Sequence, residues 1–212
     1  MNPIEWQISD LPVPYEKAVS TMEARVADIQ NHRALELVWL LEHPPLYTAG
    51  TGARAEDLLD DSLLPIHETG RGGKYTYHGP GQRVAYVMLD LRLRGRDVHG
   101  YVNRLEEWLI KTLARFNVIG ARREGRIGIW IDQGDGREAK IAAAGVRIRH
   151  WITYHGISLN VEPNLDHYRG IVPCGIGEYG ITSLEDLGIP ATTREVDSAL
   201  RETFFKVFSP PI

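Results

Sequence analysis

The sequence predicts an α+β fold, with a mixed, largely antiparallel sheet and flanking helices. Three observations predict it: several apolar runs have the length of a strand, other segments repeat apolar residues at helical spacing, and a Gly-Asp-Gly turn at 134–136 separates two strand-like runs. A glycine-rich turn between apolar runs is typical of a hairpin, and a helix with one apolar face must cover a sheet or another helix. With 212 residues the chain is long enough for one core, so we expect a single domain over 1–212.

The first half of the chain predicts one helix and two strands. Residues 14–29 carry apolar side chains at helical spacing, at Tyr15, Ala18, Val19, Met22, Val26 and Ile29. Leu35–Leu41 is an apolar run of strand length, and the two prolines after His43 end it because proline cannot continue a ladder. The other elements expected here are a helical turn at 55–59, a glycine-rich loop at 71–82 and a buried strand at 84–91.

The second half predicts an antiparallel meander between two helices. Asp97 is placed to cap a helix that runs to Phe116. Three strands and a loop follow, at 126–131, 140–149, 152–161 and 163–180. Beyond them, Ser183 begins a short helix that Gly188 stops, and Thr192 with Glu195 forms a capping box for the last helix.

Composition excludes several classes of protein. A hydrophobic content of 43% and a charged content of 25% are ordinary for a soluble globular protein. The net charge of −4 gives no overall attraction to nucleic acid or to an anionic membrane. We find neither a membrane-spanning run nor a signal-peptide pattern, so we expect a cytoplasmic protein. The single cysteine, Cys174, excludes an internal disulfide and a zinc site built from several cysteines.

The stretch 71–82 has the composition of a binding loop. Glycine lets the backbone approach a ligand closely, and an arginine followed by two glycine amides can converge on a small anion or a carbonyl. If its glycines only turned the chain, its polar side chains would be unexplained. The candidate binding residues are Arg71, Gly72, Gly73, Lys74, Tyr75, Thr76, Tyr77 and His78.

Two residues far apart in the sequence are candidate catalytic residues. Cys174 lies between a proline and a glycine in a loop, whereas a structural cysteine usually lies within an apolar helix or strand pattern. A nucleophilic thiol needs a nearby cation or base. Lys140 begins an apolar strand, where it either extends to the surface or lies partly buried beside Cys174. There its ammonium would stabilise the thiolate, and its neutral form could accept a proton from an amine. The small residues 142–145 leave a slot along this strand for a linear chain.

Histidines offer weaker alternatives. His78 or His155 could be the base for Cys174. A metal site drawn from His43, His67, His78 and His155 lacks the close spacing of zinc motifs, so we predict no metal. There is no Gly-x-x-x-x-Gly-Lys-Ser/Thr phosphate loop, which argues against a nucleotide-driven reaction, and we predict no cofactor.

At these residues the sequence resembles the bacterial lipoyl(octanoyl) transferase family, or octanoyl-[acyl-carrier-protein]:protein N-octanoyltransferases. The matching motifs are Arg-Gly-Gly-Lys-Tyr-Thr-Tyr-His-Gly-Pro-Gly-Gln at 71–82, Lys-Ile-Ala at 140–142, Pro-Cys-Gly-Ile at 173–176, His-Pro-Pro-Leu-Tyr-Thr-x-Gly at 43–50 and His-Gly-x-x-Leu-Asn-Val at 155–161. Five matches in the right order, spanning about 36–187, are highly specific. The resemblance implies the fold shared by lipoate and biotin protein ligases, an acyl-thioester on Cys174, and a Lys140 that lowers the pKa of the thiol. It also implies acyl contacts from residues 71–78 and substrate contacts from Ala143, Ala144, Gly145, Gly156, Ile157 and Ser158.

The resemblance implies partners as well. The donor would be octanoyl-acyl carrier protein, and the acceptors would be lipoyl domains of 2-oxoacid dehydrogenase complexes and the glycine cleavage H protein. Because the carrier is strongly acidic, we expect a basic patch at the entrance. The candidate clusters are Arg92, Arg94 and Arg96, or Arg122, Arg123 and Arg126, although such clusters are more often solvated surface. The competing functions are an ATP-dependent lipoate or biotin ligase, a non-catalytic acyl-binding module, and a cysteine hydrolase.

Overall fold

The computed structural model describes residues 3–134, 136–172 and 179–208, which form two sheets and three α-helices. The helices are α1 (Tyr15–Gln30), α2 (Val98–Ala114) and α3 (Thr193–Phe208). In chain order the strands are β1 (Ile4–Ile8), β2 (Glu36–Leu41), β3 (Leu46–Ala49), β4 (Ile66–Glu68), β5 (Tyr75–His78), β6 (Gln82–Met88), β7 (Ala121–Arg123), β8 (Arg126–Gly134), β9 (Arg137–Arg149), β10 (Ile152–Asn160) and β11 (Gly180–Ile181).

The large sheet forms the middle layer of the molecule. Its order is β1-β2-β6-β10-β9-β8-β7, and β11 pairs with β9. The β1–β2 and β11–β9 pairs are parallel, whereas the other pairs of this sheet are antiparallel. The predicted α+β class with a mixed, largely antiparallel sheet is therefore confirmed, and so is the meander β8-β9-β10. No helix in the described part of the chain is both long and apolar enough to cross a bilayer.

The helices cover both faces of the large sheet. The apolar side of α1 packs on β2, β6 and β10, while α2 and α3 pack on the opposite face. The predicted caps are present: the Asp97 carboxylate accepts from the amide of Gly100 at 2.9 Å. The amide of Thr192 donates to Glu195 Oε2 at 2.8 Å, and the amide of Glu195 donates to Thr192 Oγ1 at 3.3 Å. These bonds satisfy amides that a helix start leaves without an intrahelical partner.

The small sheet, in the order β4-β3-β5, is where the sequence-based prediction was wrong. Its strands have three or four residues, too few for a visible alternation, and two of them lie in segments predicted as a strand end and a loop. The predicted helix at 183–188 forms only a turn. The Ser183 hydroxyl caps its start by accepting from the amide of Asp186 at 3.0 Å, but Gly188, with φ of 75°, ends it after that turn. Strand β1 was not predicted.

An irregularity in β9 opens the large sheet beside Lys140. Ile129 of β8 is paired with Ala142, but the next residue, Trp130, is paired with Lys140, so Ile141 is an extra residue in β9. Such a bulge bends a strand and increases its twist. Beyond Ala142, no strand in the described part of the chain pairs with β9 on the β8 side, so residues 143–149 form a sheet edge there. This edge is where the cavity described below lies.

Buried histidines and tyrosines join α1 to both sheets. His43 is fully buried, and its Nδ1 donates to the carbonyl of Val13 while its Nε2 accepts from the Tyr86 hydroxyl, both at 2.6 Å. Burial lowers the pKa of His43 to about 4. Burial, and then the nearby Arg71 charge, lower the pKa of His155 to about 3. Burial also lowers the pKa of His78 well below its usual value. All three imidazoles are therefore neutral near pH 7.

The lowered pKa values of these histidines predict how the free energy of unfolding depends on pH. Below about pH 6.5 the unfolded chain takes up protons on them, whereas folded His43 does so only near pH 4. The free energy of unfolding should therefore fall between pH 6.5 and 5, by up to about 1.4 kcal/mol per pH unit for each histidine. Urea unfolding at pH 7.5, 6.0 and 5.0 measures this. His43→Gln should lower the slope of the free energy of unfolding against pH by the equivalent of about one proton. His99→Gln, at an exposed position, should leave this slope unchanged. A wild-type slope in His43→Gln would contradict the prediction.

Candidate active site

A cavity of about 440 Å³ lies along the free edge of β9. Strands β9 and β10 form its floor, the segment 71–76 covers one side, and Val98 and Val102 of α2 cover the other. Of the residues predicted as site residues, those that line it are Arg71, Gly72, Gly73, Lys74, Tyr75, Thr76, His78, Lys140, Ala143, Ala144, Gly145, Gly156, Ile157 and Ser158. The surface that these residues expose to the cavity is mostly apolar, as suits a small-molecule site.

Small side chains make the floor of the cavity a narrow trough. Ser158 is the cross-strand partner of Ala143, and Gly156 is the partner of Gly145. Paired residues project from the same face of a sheet, so two successive pairs leave space above the strands. A Cβ at Gly145 would lie 3.2 Å from the carbonyl oxygen of Gly72. Glycine at 145 therefore lets the covering segment approach the strand, where the amide of Gly72 donates to the carbonyl of Val146 at 2.9 Å.

Arg71 shapes the segment that covers the trough. The side chain is buried, and its Nη2 donates to the carbonyl of Thr48 at 2.8 Å, to the Thr48 hydroxyl at 2.6 Å and to the carbonyl of Lys74 at 3.0 Å. Its Nη1 donates to the carbonyl of Gly72 at 3.0 Å. The guanidinium thus fastens residues 71–74 to β3 and brings a fixed positive charge to the cavity wall.

Lys140 projects into the same cavity although it is only 5% exposed. Its Nζ donates to the carbonyl of Ile127 at 2.7 Å and lies 5.5 Å from the centre of the Trp130 ring. A Cβ at Gly128, where φ is 119°, would collide with the Lys140 side chain. The bulge, the glycine and the carbonyl together hold the ammonium inside the protein.

Cys174 lies outside the described residues, as do all of 173–178, so the predicted Cys174–Lys140 pair stays a prediction. Backbone hydrogen bonds hold the described residues on either side of this segment. The amide of Val172 donates to the carbonyl of Asp57 at 2.7 Å. After the segment, Ile181 pairs with Lys140 itself, and the amide of Thr182 donates to the Lys140 carbonyl at 3.0 Å. The chain thus returns next to Lys140 seven residues after the cysteine.

A buried polar network ties both of these flanks to the large sheet. Gln82 Nε2 lies 3.0 Å from each of three acceptors, the Tyr77 carbonyl, Asn160 Oδ1 and the Tyr168 hydroxyl. Asn160 accepts from the Tyr168 hydroxyl at 3.2 Å and donates from Nδ2 to the Thr182 carbonyl at 3.0 Å. One asparagine therefore connects the segment before Cys174, the segment after it, and β10.

Sequence analysis did not assign roles to Asn160 or Tyr168. Asn160 lies in the motif at 155–161, so its position was noticed but its partners were not. Tyr77, predicted as an acyl contact, does not line the cavity in the described structure. Its ring packs 5.2 Å from that of Tyr168, and its hydroxyl lies 3.0 Å from His167 Nδ1. Strand alternation in β5 turns Tyr77 away from its neighbours Thr76 and His78.

The two histidines proposed as alternative bases both line the cavity. His78 Nδ1 donates to Gln82 Oε1 at 2.6 Å, and His155 Nε2 lies 3.4 Å from the Tyr15 hydroxyl. His155 has φ of 59° within β10, a strained value for a residue other than glycine. Across the described residues, no group of three or more His, Cys, Asp or Glu side chains is arranged to hold a metal ion.

Comparisons with known proteins identify the family of the chain. Residues 14–205 match the family described as the lipoyl protein ligase A/B catalytic domain. The chain is 65% identical to an octanoyltransferase of Paramagnetospirillum magneticum over 97% of both chains. It is 61% identical to an octanoyltransferase of Rhodospirillum rubrum over 98% of this chain and 96% of the relative.

Solved structures share the fold at low sequence identity. Lipoate-protein ligase A bound with ATP superposes with a TM-score of 0.67 at 16% identity, covering 96% of this chain and 85% of the ligase. A biotin protein ligase from Aquifex aeolicus, in complex with biotin and ATP, superposes with a TM-score of 0.52 at 12% identity, covering 97% of this chain and 70% of the ligase. The chain therefore belongs to the lipoyl protein ligase A/B catalytic domain family and, within it, to the octanoyltransferases, and it is an acyltransferase.

Proposed function

We propose that this protein transfers an octanoyl group from octanoyl-acyl carrier protein to the target lysine of lipoyl domains, through a thioester on Cys174. The observation that carries the proposal is the pairing of Lys140 with Ile181. It brings the chain that follows Cys174 back to a buried ammonium at the end of an apolar trough. The acceptors would be the lipoyl domains of 2-oxoacid dehydrogenase complexes and the glycine cleavage H protein.

In the first step the Cys174 thiolate attacks the thioester carbonyl of the donor. A carbon–sulfur bond to Cys174 forms, the bond to the carrier's thiol breaks, and that thiol leaves as a thiolate that takes up a proton. The exchange of one thioester for another is nearly balanced in free energy. The positive charge of Lys140 would favour the thiolate form of Cys174, and the trough over Ala143, Gly145 and Gly156 would hold the acyl chain.

In the second step the amine of the acceptor lysine attacks the acyl-enzyme. A carbon–nitrogen bond forms, the bond to Cys174 breaks, and the amine's proton passes to the departing thiolate, with Lys140 placed to relay it. The product amide is much more stable than the thioester, so the reaction runs forward without a nucleotide. The rival function is an ATP-dependent ligation, because a ligase bound with ATP shares the fold.

Exposure to octanoyl-carrier protein without ATP should add one octanoyl group to the wild-type chain, on Cys174. Intact-mass analysis with peptide mapping measures this, and Cys174→Ala should gain nothing. An adduct that requires ATP would support a ligase instead, and release of free octanoate without an acceptor would support a hydrolase. Acylation of another residue would contradict the proposed role of Cys174.

Lys140→Ala should lower the transfer rate by about 10²-fold or more, the usual contribution of a general acid–base. It should also raise the pKa of the Cys174 thiol, because the neighbouring positive charge is removed. The rate of iodoacetamide alkylation as a function of pH measures the thiol pKa. Lys111→Ala, which removes a half-exposed lysine of α2, is the matched control. An alkylation profile identical to wild type in Lys140→Ala would contradict the ion-pair argument.

Asn160→Asp tests whether the polar network positions the site. Aspartate keeps an oxygen that accepts from Gln82 and Tyr168, but it replaces the donor to the Thr182 carbonyl with an acceptor. We expect kcat to fall about tenfold or more while KM for the donor changes little. Tyr168→Phe should act in the same direction and keep the ring packing. The control is Tyr154→Phe, which removes a buried hydroxyl that has no hydrogen-bond partner among the described residues. Unchanged kcat in folded Asn160→Asp and Tyr168→Phe would refute a positioning role.

A further inference from the structure

The two arginine clusters expected to attract an acidic carrier are largely neutralised by carboxylates. In the first, Arg92 pairs with Asp90 at 2.7 Å and Arg94 pairs with Glu36. In the second, Arg122 lies 2.9 Å from Glu107, and Arg126 lies 2.7 Å from Glu138, which also pairs with Arg123. Most of these arginines therefore hold elements of the fold together and offer little net charge to a partner.

Uncompensated positive charge lies instead at the hairpin between β9 and β10. Arg147 and Arg149 are exposed and project from the same face of β9, since they are two residues apart. Arg96 is exposed, and its guanidinium lies 5.8 Å from the centre of the Trp151 ring. Among the described residues, no carboxylate lies within 4.0 Å of these three guanidinium groups. An acidic group, Glu23 of α1, lies in the same region. Burial raises the pKa of Tyr154, and the charge of Glu23 raises it further, whereas the charges of Arg147 and Arg149 lower it.

This hairpin borders the cavity. Val146, which lines the cavity floor, directly precedes Arg147, and Val98, which lines its side, is two residues from Arg96. A side chain at Gly70, beside the covering segment, would collide with the Arg147 guanidinium. Arg147 lies seven residues along β9 from Lys140, and because Ile141 is an extra residue this corresponds to about 20 Å at about 3.3 Å per residue. The charged surface and the candidate catalytic lysine are thus at opposite ends of one groove.

The hairpin also presents an aromatic side chain in a strained turn. His150 has φ of 52° and Trp151 has φ of 66°, the left-handed values of a two-residue turn that asparagine and glycine usually occupy. Trp151 is 38% exposed, and the neighbouring segment exposes Leu93 and Val98. Backbone strain clusters at functional sites, and aromatic residues and arginine are enriched at interfaces.

We propose that the surface formed by Arg96, Arg147, Arg149 and Trp151 docks the acidic acyl-carrier protein that donates the octanoyl group. This inference rests on the proposed function. The sign of the charge fits an acidic partner. The distance fits the donor better than the acceptor, because a carrier holds its thioester on a long flexible arm that can span it outside the trough, which the acyl chain would fill. An acceptor lysine is short and must be brought to Lys140 by a protein docked at that end.

The test compares two donors with the same reacting group. For the double variant Arg147→Glu/Arg149→Glu, KM for octanoyl-carrier protein should rise about tenfold or more, and its dependence on salt should weaken. The kcat/KM for octanoyl-pantetheine, which is small and uncharged, should stay within about twofold of wild type because the groove is unchanged. Arg149→Glu alone is the second variant, in case the double variant unfolds. The control is Arg194→Glu, an exposed arginine of α3 on the side of β1, four strands from β9.

Each other outcome overturns the proposal. An unchanged KM for the carrier would show that this surface does not dock it. An equal loss of kcat/KM with octanoyl-pantetheine would show that the substitutions act on the groove instead. A rise in KM for the lipoyl domain, without one for the carrier, would assign the surface to the acceptor. Failure of the proposed function gives a different result, because the wild-type chain would then gain no octanoyl group from either donor.

Discussion

The site depends on the place where β8 and β9 separate. Up to Ala142 the two strands pair, with Ile141 as an extra residue, and beyond it β9 is a free edge. The bend directs Lys140 inward, where it donates to the carbonyl of Ile127 at 2.7 Å. Burying an ammonium costs free energy unless hydrogen bonds or an opposite charge compensate for it. The fold holds this group beside an open groove with a bulge, a glycine and a backbone carbonyl, which favours a role in the reaction.

The width of the groove is set largely by the backbone. Ala142 and Ala144 pack against the core under α2, while Ala143 and Ala144 line the cavity. Of the alanine run, these two residues therefore determine how much space an acyl chain finds beside the strand. The opposite wall cannot retreat, because the Arg71 guanidinium is bound to carbonyls of Thr48, Gly72 and Lys74. A larger side chain at 143 or 145 would narrow a groove whose other side is fixed.

Much of this could be predicted from the sequence, and the failures have a common physical cause. The long helices were predicted because ten or more residues repeat one period, and the core strands because apolar runs of strand length are bounded by turn residues. Lys140 became a candidate because a cation interrupts an apolar strand. The direction of the Tyr77 side chain could not be predicted, because β5 has four residues and lies within a glycine-rich stretch, so its alternation was not visible. The roles of Asn160 and Tyr168 were missed because these residues contact Gln82 from far along the sequence, at separations of 78 and 86 residues. Such contacts depend on tertiary structure that a local pattern does not contain.

The electrostatics of the groove follow from which of its groups are charged. His43, His78 and His155 lie in or behind its wall, and burial lowers the pKa of each, so they add hydrogen bonds without charge near pH 7. The charge of Arg71 is shared among several carbonyl groups of the wall. Lys140 then places a compact positive charge at one end of a mostly apolar trough. A thiolate formed there would be stabilised, while an acyl chain along the trough would meet neutral surface. The burial of Lys140 would make its charge effective on a sulfur brought beside it, because a charge acts more strongly where little water screens it.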